Sequence, residues 1–179
     1  MRSGISRLIA LVTLPALLMV LGEGPCLANN SSPKAPADAT ARTLDGKVVG
    51  LADYKGELVF LTVWKTDCNA CLFEIPFLNK LQQEYGDQDF SVIGLSMDRN
   101  KDILVKKVVE LRGIAYPVWL GHGQPIARYF GTEIFPTLFV IGPGGDVLGY
   151  LYGAFPTYDV AKDVLKEARA LASGQEASQ

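Results

Sequence analysis

Residues 58–64 (LVFLTVW) carry no charge and run directly into Lys65-Thr66-Asp67-Cys68-Asn69-Ala70-Cys71. An uninterrupted apolar stretch rich in β-branched and aromatic residues predicts a strand buried on both faces, the central strand of a parallel or mixed sheet under helices. From Asn69 to about Tyr85, the apolar residues Ile75, Leu78, Leu81 and Tyr85 recur at three- and four-residue spacing, which predicts a helix. Pro76 lies inside it, removes one backbone bond and kinks it, at a cost of about 3 kcal/mol where nothing compensates. Two cysteines separated by two residues thus stand at a strand-to-helix junction, the arrangement that thiol–disulfide exchange requires.

The flanking sequence supplies the rest of an α/β pattern. Asp45-Gly46 is a turn signal between Leu44 and Val48-Val49, predicting a short hairpin or edge strand. Residues 90–97 (FSVIGLSM) read as a second central strand. Asn100 is placed to cap a helix ending at Arg112, with Leu104, Val108 and Leu111 on its inner face and Gly113 closing it. Residues 116–120 read as a short strand, and residues 125–130 as a short helix with Pro125 in its first turn. Residues 137–141 and 147–152, joined by Gly142-Pro143-Gly144-Gly145-Asp146, predict an antiparallel hairpin. Thr157 caps a last helix whose inner face is assigned to Val160, Val164 and Leu171. Parallel pairing early and an antiparallel hairpin late make a mixed sheet with helices on both faces.

The N-terminus reads as an address. Arg2 and Arg7 precede an apolar run of 14 residues, Leu8 to Leu21, and Cys26-Leu27-Ala28 offers small residues where a signal peptidase cuts. Residues 1–28 are therefore expected to be a cleaved signal peptide and the protein to be periplasmic or otherwise extracytoplasmic. The run is short of the roughly 20 residues of a spanning helix, so an uncleaved anchor is the lesser reading. Lipidation of Cys26 is disfavoured by Glu23-Gly24-Pro25 before it. Cleavage after Ala28 would leave Cys68 and Cys71 as the only cysteines of the three in the chain, with no structural disulfide to make. Residues 29–41 are polar and small and read as a flexible tether, 42–174 as the domain, and 175–179 as a disordered tail. Net charge is −2 with no basic stripe, so a nucleic-acid partner has no electrostatic support.

Together these features resemble the thioredoxin superfamily, and within it the exported TlpA/ResA-like thiol–disulfide oxidoreductases. The resemblance rests on Cys68-Asn69-Ala70-Cys71 after Trp64, on Pro76, on Glu74 three residues after Cys71, and on Phe135-Pro136-Thr137 before the hairpin. It covers residues 43–171. It implies a thioredoxin fold with an extra N-terminal hairpin and a central helical insertion at residues 100–113. It further implies a cis Pro136 facing the dithiol, with Trp64, Asp67, Asn69, Ala70, Phe135 and Thr137 forming the substrate surface. The implied partners are protein disulfides and a membrane electron-donor protein, with the protein itself a monomer. Beyond the redox-active disulfide it implies no cofactor and no metal.

Cys68, at the helix N-terminus among unpaired N–H groups, is assigned as the nucleophile, and Cys71, one turn on, as the resolving thiol. Glu74 either tunes Cys71 and relays its proton, if buried, or is a solvated first-turn glutamate. Asp67 stands where the family usually has Trp. Its charge, and its capping of the N–H groups the thiolate needs, would raise the Cys68 pKa and make the protein a reductant. Asn69-Ala70 replaces the usual dipeptides, Thr62 stands where thioredoxin has a buried Asp, and Phe135 is bulkier than usual. A peroxiredoxin nucleophile needs a Thr three residues before it, and Lys65 occupies that place before Cys68. Two rival readings are a copper-binding metallochaperone or assembly factor using Cys68, Cys71 and His122, and a partner-binding domain whose cysteines are idle.

Overall fold

The computed structural model describes residues 34–174. The expected signal peptide, Cys26 and the 175–179 tail lie outside the described residues. Seven strands form one sheet: β1 (Thr40–Thr43), β2 (Val48–Gly50), β3 (Leu58–Trp64), β4 (Phe90–Ser96), β5 (Val118–Leu120), β6 (Thr137–Ile141) and β7 (Val147–Tyr152). Their order is β2-β1-β5-β4-β3-β6-β7. β3 pairs parallel with β4, and β4 with β5; β6 runs antiparallel to β3, and β1 antiparallel to β5. Among the described residues, four α-helices, α1 (Asn69–Tyr85), α2 (Asp102–Arg112), α3 (Ala127–Phe130) and α4 (Tyr158–Ala172), and a 3-10 turn at Leu51–Tyr54 complete the fold. This is the thioredoxin fold anticipated above, with the N-terminal hairpin and the helical insertion.

All seven residues of β3 are buried, and the pleat sends them alternately to two cores. Leu58, Phe60 and Trp64 join Leu78 and Leu81 of α1, Val105 of α2, and Leu165 of α4. Val59, Leu61 and Val63 join Trp119, Ile126 and Phe130 on the other face. Helix α1 buries Cys71, Glu74, Ile75, Leu78 and Leu81, a stripe at three- and four-residue spacing, while Pro76 faces solvent. Asn79 ties α1 to the chain after α2: its amide donates to the Gly113 carbonyl at 2.7 Å and accepts from the Ala115 N–H at 2.8 Å.

Several expectations need correction. Residues 35–41 belong to the domain and not to a tether. Ala35 N–H donates to the Gly145 carbonyl, Ala39 and Ala41 are buried, and β1 begins at Thr40. Small alanines pack into the core without the bulky alternation that marks a strand in sequence. In α2, Lys101 is the N-cap and Asn100 adopts a left-handed φ of 53°. Val105 is the buried residue, whereas Leu104 and Leu111 are exposed. Apolar residues lie almost all round this helix, so spacing alone could not choose its inner face. In α4 the buried stripe is Ala161, Leu165 and Ala168, with Val160 and Leu171 exposed. Alanines allow close approach to the sheet, and a search for large apolar residues passes over them. Strand β5 begins only at Val118, because Pro117 has no N–H for the ladder.

Candidate active site

β3 ends at Trp64 and the chain turns through Lys65, Thr66 and Asp67 before entering α1. Cys68 is the N-cap of α1 in extended geometry, and its Sγ accepts from the Cys71 N–H at 3.1 Å. The two cysteines are joined as a disulfide. Cys68 is half-buried and Cys71 is buried at 2% exposure, an asymmetry that gives an outside partner access to Cys68 first. The sulfur therefore occupies the place a capping oxygen usually takes, and a thiolate there would receive an N–H bond and the positive end of the helix dipole.

The Phe135–Pro136 peptide is cis. Thr137 pairs with Val63, so this peptide lies beside the end of β3 from which the cysteine loop departs. The Lys65 ammonium sits 4.3 Å from the Phe135 ring centroid and joins the two loops. Asn69 and Ala70 are exposed, and Phe135 is half-buried. Trp64 and Thr137 do not fit the substrate surface assigned to them. Trp64 is buried in the core beneath the cysteines, and Gly94 makes room for it: a Cβ there would meet Trp64 Nε1 and Tyr116 Cε2, both at 3.1 Å. Thr137 is fully buried, and its hydroxyl donates to the Ile134 carbonyl at 2.6 Å, fixing the loop before the cis peptide.

Glu74 is buried, not solvated. Thr62 Oγ1 donates to its carboxylate at 2.9 Å, and the Phe155 backbone hydrogen-bonds it as well. Desolvation outweighs both bonds and pushes its pKa up to about 7. Tyr116, buried nearby, has its hydroxyl pKa raised by burial first and by the Glu74 charge second.

Asp67 does not cap the helix. Its side chain is 68% exposed and lies 3.4 Å from Lys101 Nζ. Cys68 Sγ holds the N–H that a capping Asp67 would take, so Asp67 bears on Cys68 through its charge alone, partly offset by Lys101. His122 lines a groove of about 340 Å³ with Lys65, Asp67, Asp98, Lys101 and Phe135, and neither cysteine is among the lining residues. Among the described residues, no group of three or more His, Cys, Asp or Glu is arranged to hold a metal ion.

One residue at the site went unnoticed in the sequence. Asp98, buried two residues beyond β4, accepts from the Thr66 N–H at 2.9 Å, the Thr66 hydroxyl at 2.7 Å and the Ser96 hydroxyl at 3.0 Å. The signal was available, since polar residues at the carboxyl ends of parallel strands are where α/β sheets build their sites.

The AhpC/TSA family model matches residues 33–149. The chain belongs to the AhpC/TSA family. It is 37% identical over 110 residues to the thiol-disulfide oxidoreductase ResA of Bacillus thuringiensis (strain Al Hakam). That match covers 62% of this chain and 63% of ResA, a little under two thirds of the relative's length. Among solved structures, a Chlorobium tepidum protein assigned as the thiol:disulfide interchange protein DsbE superposes with a TM-score of 0.66 at 27% identity, covering 80% of this chain and 97% of that one. The thioredoxin domain of a thiol-disulfide oxidoreductase from Bacteroides vulgatus gives a TM-score of 0.62 at 26% identity, covering 77% of this chain and 97% of that domain.

Proposed function

We propose that this protein is an extracytoplasmic thiol–disulfide oxidoreductase that reduces protein disulfides. The observation that carries the reading is the Cys68–Cys71 disulfide at the N-terminus of α1, with Cys68 accessible and Cys71 buried. The ResA relative and the DsbE-like structure support the same chemistry by name.

In the reduced form, the Cys68 thiolate attacks one sulfur of a substrate disulfide. The substrate S–S bond breaks, a Cys68–substrate disulfide forms, and the first substrate thiolate leaves and takes a proton. Cys71 then loses its proton and attacks Cys68 Sγ. The Cys68–Cys71 disulfide forms, the second substrate thiol is released, and two electrons have passed to the substrate. Glu74, held near neutral pKa one turn beyond Cys71, is suited to take the Cys71 proton. The cis peptide at Pro136 and the half-buried Phe135 suit main-chain recognition of an extended substrate strand.

The reducing direction is supported by Asp67, whose exposed charge beside Cys68 opposes the thiolate. Export is supported by the charged and apolar pattern of residues 1–28. An extracytoplasmic reductant needs an electron source across the membrane, which supports a membrane thiol donor as the partner. The experiment is insulin reduction with dithiothreitol as the electron source. Wild type should accelerate it, and Cys68→Ser should lose at least about 100-fold of that acceleration. An unchanged rate in Cys68→Ser would sink the thiol reading. A redox potential near −120 mV instead of about −200 mV or lower would overturn the reducing direction.

A further inference from the structure

Asp98 has no part in the exchange steps, yet it makes the densest set of hydrogen bonds near the cysteines. Its side chain is 1% exposed. Both carboxylate oxygens are used on Thr66: Oδ2 accepts the backbone N–H and Oδ1 the hydroxyl. Ser96 donates a third bond from the end of β4 and, through its Oγ, accepts the Asp98 N–H at 3.3 Å. Lys101 Nζ stands 3.7 Å from Oδ1 and supplies a partly compensating positive charge. Thr66 and Asp98 are 32 residues apart, so the clasp fastens the loop after β3 to the loop after β4.

That loop carries the nucleophile. Thr66 precedes Cys68 by two residues, and the turn between them contributes one backbone bond, Cys68 N–H to the Lys65 carbonyl, long at 3.3 Å. The alignment of Cys68 Sγ on the Cys71 N–H therefore depends on where Thr66 is held. We propose that Asp98 is the positioning residue for the Cys68 nucleophile, clasping Thr66 so that Cys68 Sγ stays on the N-terminal amide of α1. A buried carboxylate is costly unless its oxygens are paired. Here three neutral donors meet it, and two of them belong to one residue beside the nucleophile. The inference rests on the exchange reading for its purpose, but its test reads the Cys68 thiol directly.

Asp98 acts on Cys68 in two opposed ways. Its charge disfavours the thiolate, while its clasp keeps the thiolate at the helix N-terminus, so removing the charge lowers the Cys68 pKa and releasing the clasp raises it. Thr66→Val separates the two, because it keeps the Asp98 charge and removes the 2.7 Å hydroxyl bond. Thr66→Ser keeps the hydroxyl and serves as the rescue. The measurement is the pH profile of iodoacetamide alkylation at Cys68 in the fully reduced full-length chain, localised by mass spectrometry.

The midpoint should rise by about one unit in Thr66→Val, making alkylation roughly tenfold slower below the midpoint, with Thr66→Ser at the wild-type value. Asp98→Asn should move in the same direction, because a neutral amide replaces the charge-assisted bonds with weaker ones and can keep the Thr66 hydroxyl only by donating to it. A wild-type profile in folded Thr66→Val overturns the proposal. So does a lowered midpoint in Asp98→Asn, which would mean that Asp98 acts by charge alone. Should Asp98→Asn fail to fold, Thr66→Val decides. Insulin reduction followed alongside separates this outcome from failure of the exchange reading, since a shifted Cys68 midpoint can be seen with or without turnover.

Discussion

Glu74 links burial to pH dependence in this protein. Its ordinary value of 4.5 rises to about 7 in the fold, because desolvation exceeds what the Thr62 and Phe155 hydrogen bonds return. The native chain thus holds a proton that the unfolded chain releases at lower pH. Stability falls as pH rises through the window from about 4.5 to about 7, and is level above it. Glu74→Gln keeps a carbonyl acceptor and lacks the titration. Between pH 5 and pH 8 it should gain roughly 2–3 kcal/mol relative to wild type in urea unfolding of the oxidised protein. A constant difference across that range would rule the assignment out. The sequence could place Glu74 one turn beyond Cys71, but it could not show that Thr62, 12 residues earlier, would face it.

Among the elements, α4 most clearly separates spacing from packing. Val160, Val164 and Leu171 are large apolar residues at helical spacing. The sheet nonetheless covers Ala161, Leu165 and Ala168, and Leu171 is 46% exposed. Leu165→Ala should cost about 2–5 kcal/mol in chemical unfolding, whereas Leu171→Ala should cost under about 1 kcal/mol. Equal costs would return Leu171 to the inner face. By contrast, α1 is legible in the sequence. A buried stripe, a capping sulfur and a solvent-facing Pro76 agree there, and its expected limits, Asn69 to Tyr85, match the helix formed. Pro76 has no N–H to give the Leu72 carbonyl, so α1 forgoes one backbone bond there while the helix runs on to Tyr85.

At the scale of the whole molecule, the two tryptophans report on the two sides of one sheet. Trp64 lies under α1 and α4, while Trp119 lies on the opposite face, edge-on to Tyr54 with ring centroids 5.8 Å apart. Because β3 and β4 send alternate residues into both cores, neither core can form without the sheet that carries the other. Trp64→Phe and Trp119→Phe, each leaving one emitter, should therefore show fluorescence and circular-dichroism transitions that coincide within each variant. Separate midpoints would divide the domain into two units. The sheet also explains the site's location: parallel β3 and β4 both end at the edge where Thr66, Asp98 and the cysteines meet, and antiparallel β6 begins there with the cis Phe135–Pro136 peptide.

Sequence alone determined the features that are local or periodic. A strand buried on both faces, two cysteines at the start of a helix, a proline within that helix and a glycine-rich turn in the last hairpin each leave their mark within a few neighbouring residues. The tertiary structure decided what depends on distance in space. It chose the inner faces of α2 and α4, drew β1 in beside β5, buried Trp64 and Thr137, and turned Asp67 toward Lys101 instead of the helix. It also brought Asp98 to Thr66 and Thr62 to Glu74. A hydrogen bond between two short polar side chains on different elements has no period and needs no particular spacing along the chain. Its free energy depends on both partners leaving water together, and that condition exists only once the strands have been placed side by side.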